Sequence, residues 1–262
     1  MAPQTRGPET VKSIVKMFDI IEYIQANGGA RPTEVAAELG VAKSTAHRHL
    51  STLYDEEYLD RVDDQYVLGL RFLDLGQDAR NRNETYRMVK PKVTELALET
   101  EERAQFIVEE HGRGVYVYRD TGTHGVQTDP GIGKRIDLHS ISAGKAILAN
   151  MPEEEVDEMI ERRGLEARTP HTITDRDELF AEFETIRERG YSINNQENIL
   201  GQRAIGVAIE GAHGETIGAL SVSGPLHRMQ QEFVEDEISG MLLGVVNELE
   251  LNIRHAGGNG SS

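Results

Sequence analysis

Five neighbouring polar and basic side chains have the chemistry to contact DNA. They occupy the first turns of a predicted helix whose apolar residues Ala46, Leu50 and Leu53 recur at helical spacing. That spacing places the apolar residues on one face and leaves the polar set outside. Hydroxyls and guanidinium groups bind base edges, and cations bind phosphates, which predicts a recognition helix. The exposed set consists of Lys43, Ser44, Thr45, His47 and Arg48.

A short helix and a glycine turn precede this segment. Val35, Ala36 and Leu39 share one face, and Gly40 supplies the left-handed residue that ends the helix. Two short helices joined by such a turn are typical of a helix-turn-helix. His49 departs from the pattern, because an apolar residue is usual there. The alternative is an ordinary helical hairpin with a solvated polar face.

A second group of residues could bind a small ligand. In the strand predicted at 215–223, Ser221 and Ser223 point to the same side. Ser142 opens a predicted helix whose N-terminal amides could receive a negative charge. Hydroxyls among small residues could leave a concavity for a ligand, but small residues also let a helix pack closely, and the pattern alone leaves both interpretations open. The small residues on these faces are Ala204, Gly206, Ala208 and Ala219.

Catalysis and metal binding find less support. The chain has no cysteine, which excludes thiolate nucleophiles, disulfides and Cys-based zinc sites. The second half lacks a His-x-x-x-His spacing, and the segment 131–134 lacks the full phosphate-loop pattern. The serines lack a nucleophile-elbow pattern. We therefore expect no enzyme activity, no metal site and no cofactor.

The elements that must position these residues can be read from periodicity. A helix at 10–25 supports the helix-turn-helix, and strands at 59–62 and 65–68 form a wing with the acidic tip Asp63-Asp64. Connecting helices are predicted at 70–82 and 85–100. An antiparallel sheet flanked by helices follows, which indicates an α+β sensor-like domain. Its predicted strands lie at 104–109, 115–119, Val126, Ile136, 191–195, 204–210 and 215–223, and its helices at 142–151, 153–163, 175–189 with Thr174 as cap, and 230–254.

The charge is unusual for a DNA-binding protein. Asp and Glu number 45 against 28 Lys and Arg, which gives a net charge of -17, and both halves of the chain are acidic. Nucleic-acid-binding proteins usually show a basic footprint. Adaptation to a salt-rich cytoplasm accounts for the acidity, and an ordinary acidic protein is the alternative. No apolar run reaches membrane-spanning length and the N-terminus does not resemble a signal peptide, so we expect a cytoplasmic protein.

Three segments of the second half, following the winged helix-turn-helix, resemble the IclR family of transcriptional regulators. They are HSISAGKAILA at 139–149, RGYSINNQENILGQRAIGVAIE at 189–210 and GALSVSGPLHR at 218–228. The resemblance covers residues 10–254. It implies a GAF-like effector-binding domain, binding to a double-stranded DNA operator as a homodimer or dimer of dimers, and a small organic acid or aromatic carboxylate as effector.

The resemblance also implies the domain limits and the residues that line the effector pocket. We expect a winged helix-turn-helix domain at 8–69, a linker helix at 70–84, the GAF-like domain at 85–255 and a disordered tail at 256–262. Asn194 and Ala204 depart from the acidic residue and the Cys of some relatives. A GAF-like ligand-binding or enzymatic protein whose helix-turn-helix makes only protein contacts is the alternative. The expected pocket residues are Ser142, Ala143, Asn194, Gln202, Ala204, Ser221 and Ser223.

The acidity generates a prediction about salt. Carboxylate repulsion is screened within about 3 Å at molar ionic strength but acts over tens of ångströms in dilute salt. We expect the thermal unfolding midpoint to fall as salt is lowered from molar to millimolar. A midpoint that stays level over this range would contradict the halophilic interpretation.

Overall fold

The computed structural model describes residues 10–125 and 131–258, and the chain divides into two units, Met1–Ala79 and Arg80–Ser262. The α+β architecture predicted from the sequence is confirmed. The first unit carries a helix-turn-helix with a two-stranded wing. The second carries an antiparallel sheet with helices on both faces.

The first unit is built on one small apolar core. Helix α1 buries Ile20 and Ile24, which are one turn apart, and α3 buries Ala46, Leu50 and Leu53. The core thus joins the supporting helix to the predicted recognition helix. The elements are α1 (Lys12–Asn27), α2 (Pro32–Glu38), α3 (Lys43–Asp55), β1 (Leu59–Val62), β2 (Gln65–Leu68) and α4 (Arg71–Asn81), which crosses the boundary between the units.

The wing is an antiparallel hairpin whose strand limits match those predicted. Ala30 adds a bridge to Tyr66 through main-chain hydrogen bonds of 2.8 and 2.9 Å. At the tip, the carboxylate of Asp64 accepts from Arg31 Nε at 2.6 Å, and both side chains are largely exposed. The tip therefore folds back onto the residue that precedes α2, and one of its two acidic side chains is already paired.

The second unit contains the larger sheet. Its strands lie in the order β5-β4-β3-β8-β7-β6, and each neighbouring pair is antiparallel. The elements are α5 (Glu84–Thr100), β3 (Arg103–Glu110), β4 (Arg113–Thr121), β5 (Arg135–Ile136), α6 (Ser142–Ala149), α7 (Glu153–Arg163), α8 (Arg176–Arg189), β6 (Ser192–Asn195), β7 (Gln202–Glu210), β8 (Thr216–Pro225), α9 (Gln231–Phe233) and α10 (Ser239–Gly258).

The two faces of this sheet bury different clusters. Phe106, Leu220 and Val222 pack against α5 and α10, whereas Ile107 and Ala219 pack against α6, α7 and α8. Because side chains alternate along a strand, Ser221 and Ser223 lie on the same face as Ala219, the face that α6 covers. The residues predicted to bind an effector are therefore on the α6 side.

Four local predictions are either wrong or fall wholly or partly outside the described residues. Asp175, not Thr174, caps α8, because its carboxylate accepts the main-chain N–H of Glu178 at 3.0 Å. The single helix expected at 230–254 contains a π-helical turn at Val234–Ile238. Helix α10 continues through Gly258, so the start of the expected tail is helical. The strand expected at Val126 and the tail residues 259–262 lie outside the described residues.

Gly206 offers a test of how closely α6 packs on the sheet. A Cβ atom at Gly206 would lie 2.7 Å from the main-chain nitrogen of Ala143. We expect Gly206→Ala to lower the free energy of unfolding by about 1–3 kcal/mol, because backbone would have to move. Urea unfolding followed by circular dichroism measures the loss.

The matched control is Gly244→Ala on α10. A Cβ atom there meets nothing within 4 Å, so we expect unchanged stability or a gain of up to about 1 kcal/mol. Equal stability of the two variants would contradict the close contact at Gly206.

Candidate functional site

The first turn of α6 rests directly on strand β7. The gap at Gly206 is too narrow for any side chain, and both Ser142 and Ala143 are buried there. Glycine permits this close approach because it has no Cβ atom. At this position the structure supports close helix packing as the role of the small residue.

Two side chains of β6 fix the residues that begin α6. Ser192 Oγ donates to the main-chain carbonyl of Ser142 at 2.5 Å, and Asn194 Nδ2 donates to the carbonyl of Ser140. Asn194 Oδ1 also accepts the main-chain N–H of Glu197 at 3.1 Å. Both polar ends of Asn194 are therefore used in holding the fold.

The direction of α6 relative to β8 follows from contacts at its two ends. Its first turn lies over Gly206, which pairs with Ser221, and beyond its last turn the carbonyl of Asn150 accepts from Thr216 Oγ1 at 3.3 Å. The N-terminus of α6 is therefore directed toward the Ser223 end of β8. The main-chain amides at a helix start carry partial positive charge, which favours an anion near this end.

The strand register brings the predicted serines beside two residues of β3 that the sequence interpretation did not single out. In each of two cross-strand rows, a small residue of β7 pairs with a serine of β8, which pairs with a polar residue of β3. All six side-chain positions face the α6 side by strand alternation. The rows are Ala204, Ser223 and Arg103, and Gly206, Ser221 and Gln105.

Arg103 is a buried cation bonded to a neutral hydroxyl. Its Nε donates to Ser223 Oγ at 3.0 Å, and Gln105 Nε2 lies 3.3 Å from the same oxygen. The residue is only 4% exposed. Burial lowers the pKa of the Arg103 guanidinium, and the nearby charge of Arg119 lowers it further. Since arginine stays protonated in proteins, a positive charge is buried at this end of the face.

The other predicted pocket residues fall into two groups. Asn194 and Ala204 are cross-strand partners, so Ala204 lies between Asn194 and Ser223. Gln202 is half-buried at the start of β7, opposite Pro225, two residues from Ala204. The structure thus brings Asn194, Ala204 and the two serines together, with the start of α6 beside them and Gln202 at the rim.

A buried ion pair also ties α6 to the segment between β6 and β7. Lys145 Nζ lies 2.8 Å from Glu197 Oε1, and their side chains are 1% and 8% exposed. Glu182 adds a second carboxylate at 3.4 Å. Burial raises the pKa of the Glu197 carboxyl, and Lys145 opposes that rise. The pair holds the helix start beside the strands that carry Asn194 and Ala204.

Helix α3, the predicted recognition helix, exposes most of the polar side chains expected from the spacing. Lys43, Ser44, His47 and Arg48 are exposed, and Thr45 is half-buried. His47 Nδ1 lies 3.3 Å from Ser51 Oγ, which orients the imidazole along the helix. The described residues bring together no group of three or more His, Asp or Glu side chains able to hold a metal ion. In the same part of the chain, every helix is too short or too polar to cross a membrane.

Comparison with known proteins links both units to one family. Residues 13–63 match the family described as IclR helix-turn-helix domain, and residues 78–250 match the family described as Bacterial transcriptional regulator IclR C-terminal. The chain is 31% identical to the "Probable HTH-type transcriptional regulator ArcR" of Halobacterium salinarum over 95% of this chain and 96% of that relative.

Two solved structures are similar as well. The crystal structure of IclR from Thermotoga maritima is 28% identical with a TM-score of 0.79, covering 94% of this chain and 100% of that one. The inducer-binding domain of a double mutant of PobR from Acinetobacter, in complex with 3-hydroxybenzoic acid, is 28% identical with a TM-score of 0.58. That likeness covers 63% of this chain and 96% of that one.

The buried ion pair generates a prediction about stability. Lys145→Met would leave the buried carboxylate of Glu197 without its cation, whereas Glu182 would keep Arg189, and breaking a buried pair costs about 3–5 kcal/mol. The control is Lys92→Met, whose partners Glu95 and Glu248 are largely exposed, with an expected loss of at most about 1 kcal/mol. Urea unfolding of both variants measures the difference.

The loss of unfolding free energy in Lys145→Met should depend on pH in a defined direction. Removing Lys145 leaves burial to raise the pKa of Glu197 further above its ordinary value of 4.5. A carboxyl with a raised folded-state pKa contributes stability below its unfolded pKa and loses it as pH rises through the folded value. The deficit of Lys145→Met should therefore be smaller at about pH 5 than at about pH 8. A deficit that grows toward acid pH would contradict the pairing.

Proposed function

Because this chain belongs to the IclR family of transcriptional regulators, we propose that it binds an operator through α3 and that a small organic acid changes its affinity for that operator. Its family consists of regulators with a C-terminal effector-binding domain and not of enzymes. Residues 8–69 would then serve as the DNA-binding domain, 70–84 as the linker and 85–255 as the effector-binding domain.

One observation carries the choice of an acid as effector. Arg103 is buried on the face that also bears Ser221 and Ser223, and the start of α6 is directed toward this end. A buried guanidinium and helix-start amides both favour a carboxylate. The bound 3-hydroxybenzoic acid of the PobR domain is consistent with this chemistry. The residues proposed to line the site are Ser142, Ala143, Asn194, Gln202, Ala204, Ser221 and Ser223, together with Arg103 and Gln105.

We propose that some side chains of α3 contact base edges and others contact phosphates. Ser44 and Thr45, on its first turn, would lie nearest base edges, with His47 beside them, whereas Lys43 and Arg48 would pair with phosphates. With a net charge of -17 the protein gains little from long-range attraction to DNA. We therefore expect few phosphate contacts and a shallow dependence of affinity on salt.

Exposed apolar residues in the first unit support assembly as a homodimer or dimer of dimers. Val11, the N-cap residue of α1, and Ile14 and Phe18 within the helix are at least half exposed and recur at helical spacing. Around the start of α4, Leu70 and Leu73 are exposed to a similar or greater extent. Apolar stripes of this kind on soluble proteins commonly mark interfaces. A cytoplasmic location in a salt-rich cell is the setting we infer, consistent with the haloarchaeal relative.

Two substitutions on α3 test the proposed DNA contact. Thr45→Ala should change sequence preference by about 1–3 kcal/mol at the contacted base pair. Arg48→Ala should weaken binding to all sequences alike. Fluorescence anisotropy with the chain's own upstream region, and with single-base variants of it, measures both effects.

Matched controls come from the second unit. Thr185→Ala on α8 and Arg87→Ala on α5 remove exposed side chains of the same types, and neither should alter affinity. Unchanged affinity and preference in both Thr45→Ala and Arg48→Ala would show that α3 is not the recognition helix.

A further inference from the structure

A carboxylate of the wing covers the cation at the start of α2. Arg31, the N-cap residue of this helix, is the only basic residue between positions 17 and 42. Its Nε donates to Asp64 Oδ2 at 2.6 Å and its Nη2 to Asp64 Oδ1 at 3.2 Å. This bonding holds the pKa of Asp64 below its ordinary value, so the carboxylate is charged at neutral pH. A guanidinium binds phosphate through the same pair of N–H groups, so Asp64 occupies the position that a phosphate would take.

The position of Arg31 in the helix-turn-helix brings it toward the DNA backbone. In this motif the second helix enters the major groove, while the first helix crosses the backbone. Here α2 is the first helix and α3 the second, and α2 has only 7 residues. A helix of that length spans about 10 Å, so the long side chain at its start is within reach of the phosphates that it crosses.

The charges around Arg31 leave no free cation for a phosphate. Arg31 Nη1 also lies 3.6 Å from Glu34 Oε1, so one guanidinium faces two carboxylates. Glu34 has a second role, because its Oε2 accepts the main-chain N–H of Arg31 at 2.7 Å and caps α2. Among the described residues, Asp64 is bonded to this end of α2 through the guanidinium alone, and 63% of its side chain is exposed. Asp64 can therefore leave without uncapping the helix.

We propose that Asp64 occupies the phosphate-binding side of Arg31 in the free protein, and that DNA binding exchanges this carboxylate for a backbone phosphate. The inference rests on the proposed function, because it adds a contact to the same DNA-binding unit. Breaking the internal pair costs the same on every duplex, since backbone phosphates carry no sequence information. The exchange therefore weakens binding to all duplexes alike and leaves contacts with base edges a larger share of the affinity.

Two asparagine substitutions at the wing tip test the exchange. Asp64→Asn removes the charge that pairs with Arg31. The matched control is Asp63→Asn, which removes an equal charge from the same exposed tip, and asparagine tolerates the φ of 56° at that position. Anisotropy is measured with the chain's own upstream region and with an unrelated duplex of equal length, at the lowest salt at which circular dichroism shows every variant folded.

We expect Asp64→Asn to bind both duplexes about two- to fivefold more tightly than Asp63→Asn does, the factor that an exposed ion pair typically contributes. The difference should shrink toward molar salt, where charges are screened within about 3 Å. In the background of Arg31→Gln the two asparagine variants should bind equally, because the competition needs the guanidinium. An advantage of Asp64→Asn that survives in Arg31→Gln would show general repulsion by the wing tip and overturn the exchange.

A purely structural role of the pair predicts a different result. If Arg31 and Asp64 only fasten the wing to the start of α2, Asp64→Asn should lower the urea midpoint and weaken DNA binding. An affinity of Asp64→Asn equal to or below that of Asp63→Asn therefore refutes the proposal.

Failure of this inference is distinguishable from failure of the proposed function. If the unmodified chain prefers its upstream region and the two asparagine variants bind equally, the exchange is refuted while operator recognition stands. If the unmodified chain binds both duplexes equally, operator recognition is refuted, and the variants still decide the exchange because a phosphate contact does not depend on sequence. If it binds neither duplex with a Kd below about 100 µM, the weak end of ordinary non-specific binding, both proposals fail.

Discussion

The close contact between α6 and Gly206 determines which part of the sheet in the second unit lies beside the proposed effector site. Because the helix rests on a strand position without a side chain, its first turn lies deep against β7, and Ser142 and Ala143 are buried. The body of the helix then covers Ala208 and Ala219. The row that contains Ala204, Ser223 and Arg103 lies toward its N-terminal end. The packing of α6 at Gly206 thus determines where the proposed effector site lies on the sheet.

Two buried positive charges in this unit have different surroundings and different roles. Lys145 is neutralised by Glu197 and Glu182, so its charge stabilises the attachment of α6 and is not offered to a ligand. Arg103 is bonded to a serine hydroxyl and lies near the like charge of Arg119. The charge of Lys145 therefore stabilises the fold, whereas Arg103 lies on the face where we propose that the effector binds.

Periodicity and resemblance predicted much of the fold and only part of the site. The apolar spacing along α1 and α3 and the hairpin signals of the wing are local, so their limits could be read from short windows of sequence. Arg103 and Gln105 could not be placed in this way. Arg103 precedes the strand predicted at 104–109, and the meeting of both residues with Ser223 and Ser221 depends on strand register across more than a hundred residues. The predicted cap of α8 was wrong for a different reason. Thr174 and Asp175 are both residue types that cap helices well, and only the position at which the helical backbone begins distinguishes them.

The central claim is that occupation of this face by an acid changes operator affinity, and thermodynamic linkage gives its most direct measurement. The Kd for operator DNA is measured by anisotropy with and without a saturating acid found to bind, at equal ionic strength. The Kd for the acid is measured with and without DNA. We expect the operator Kd to change about 5- to 150-fold and the acid Kd to change by the same factor. An operator Kd unaltered by every acid that binds would contradict the account.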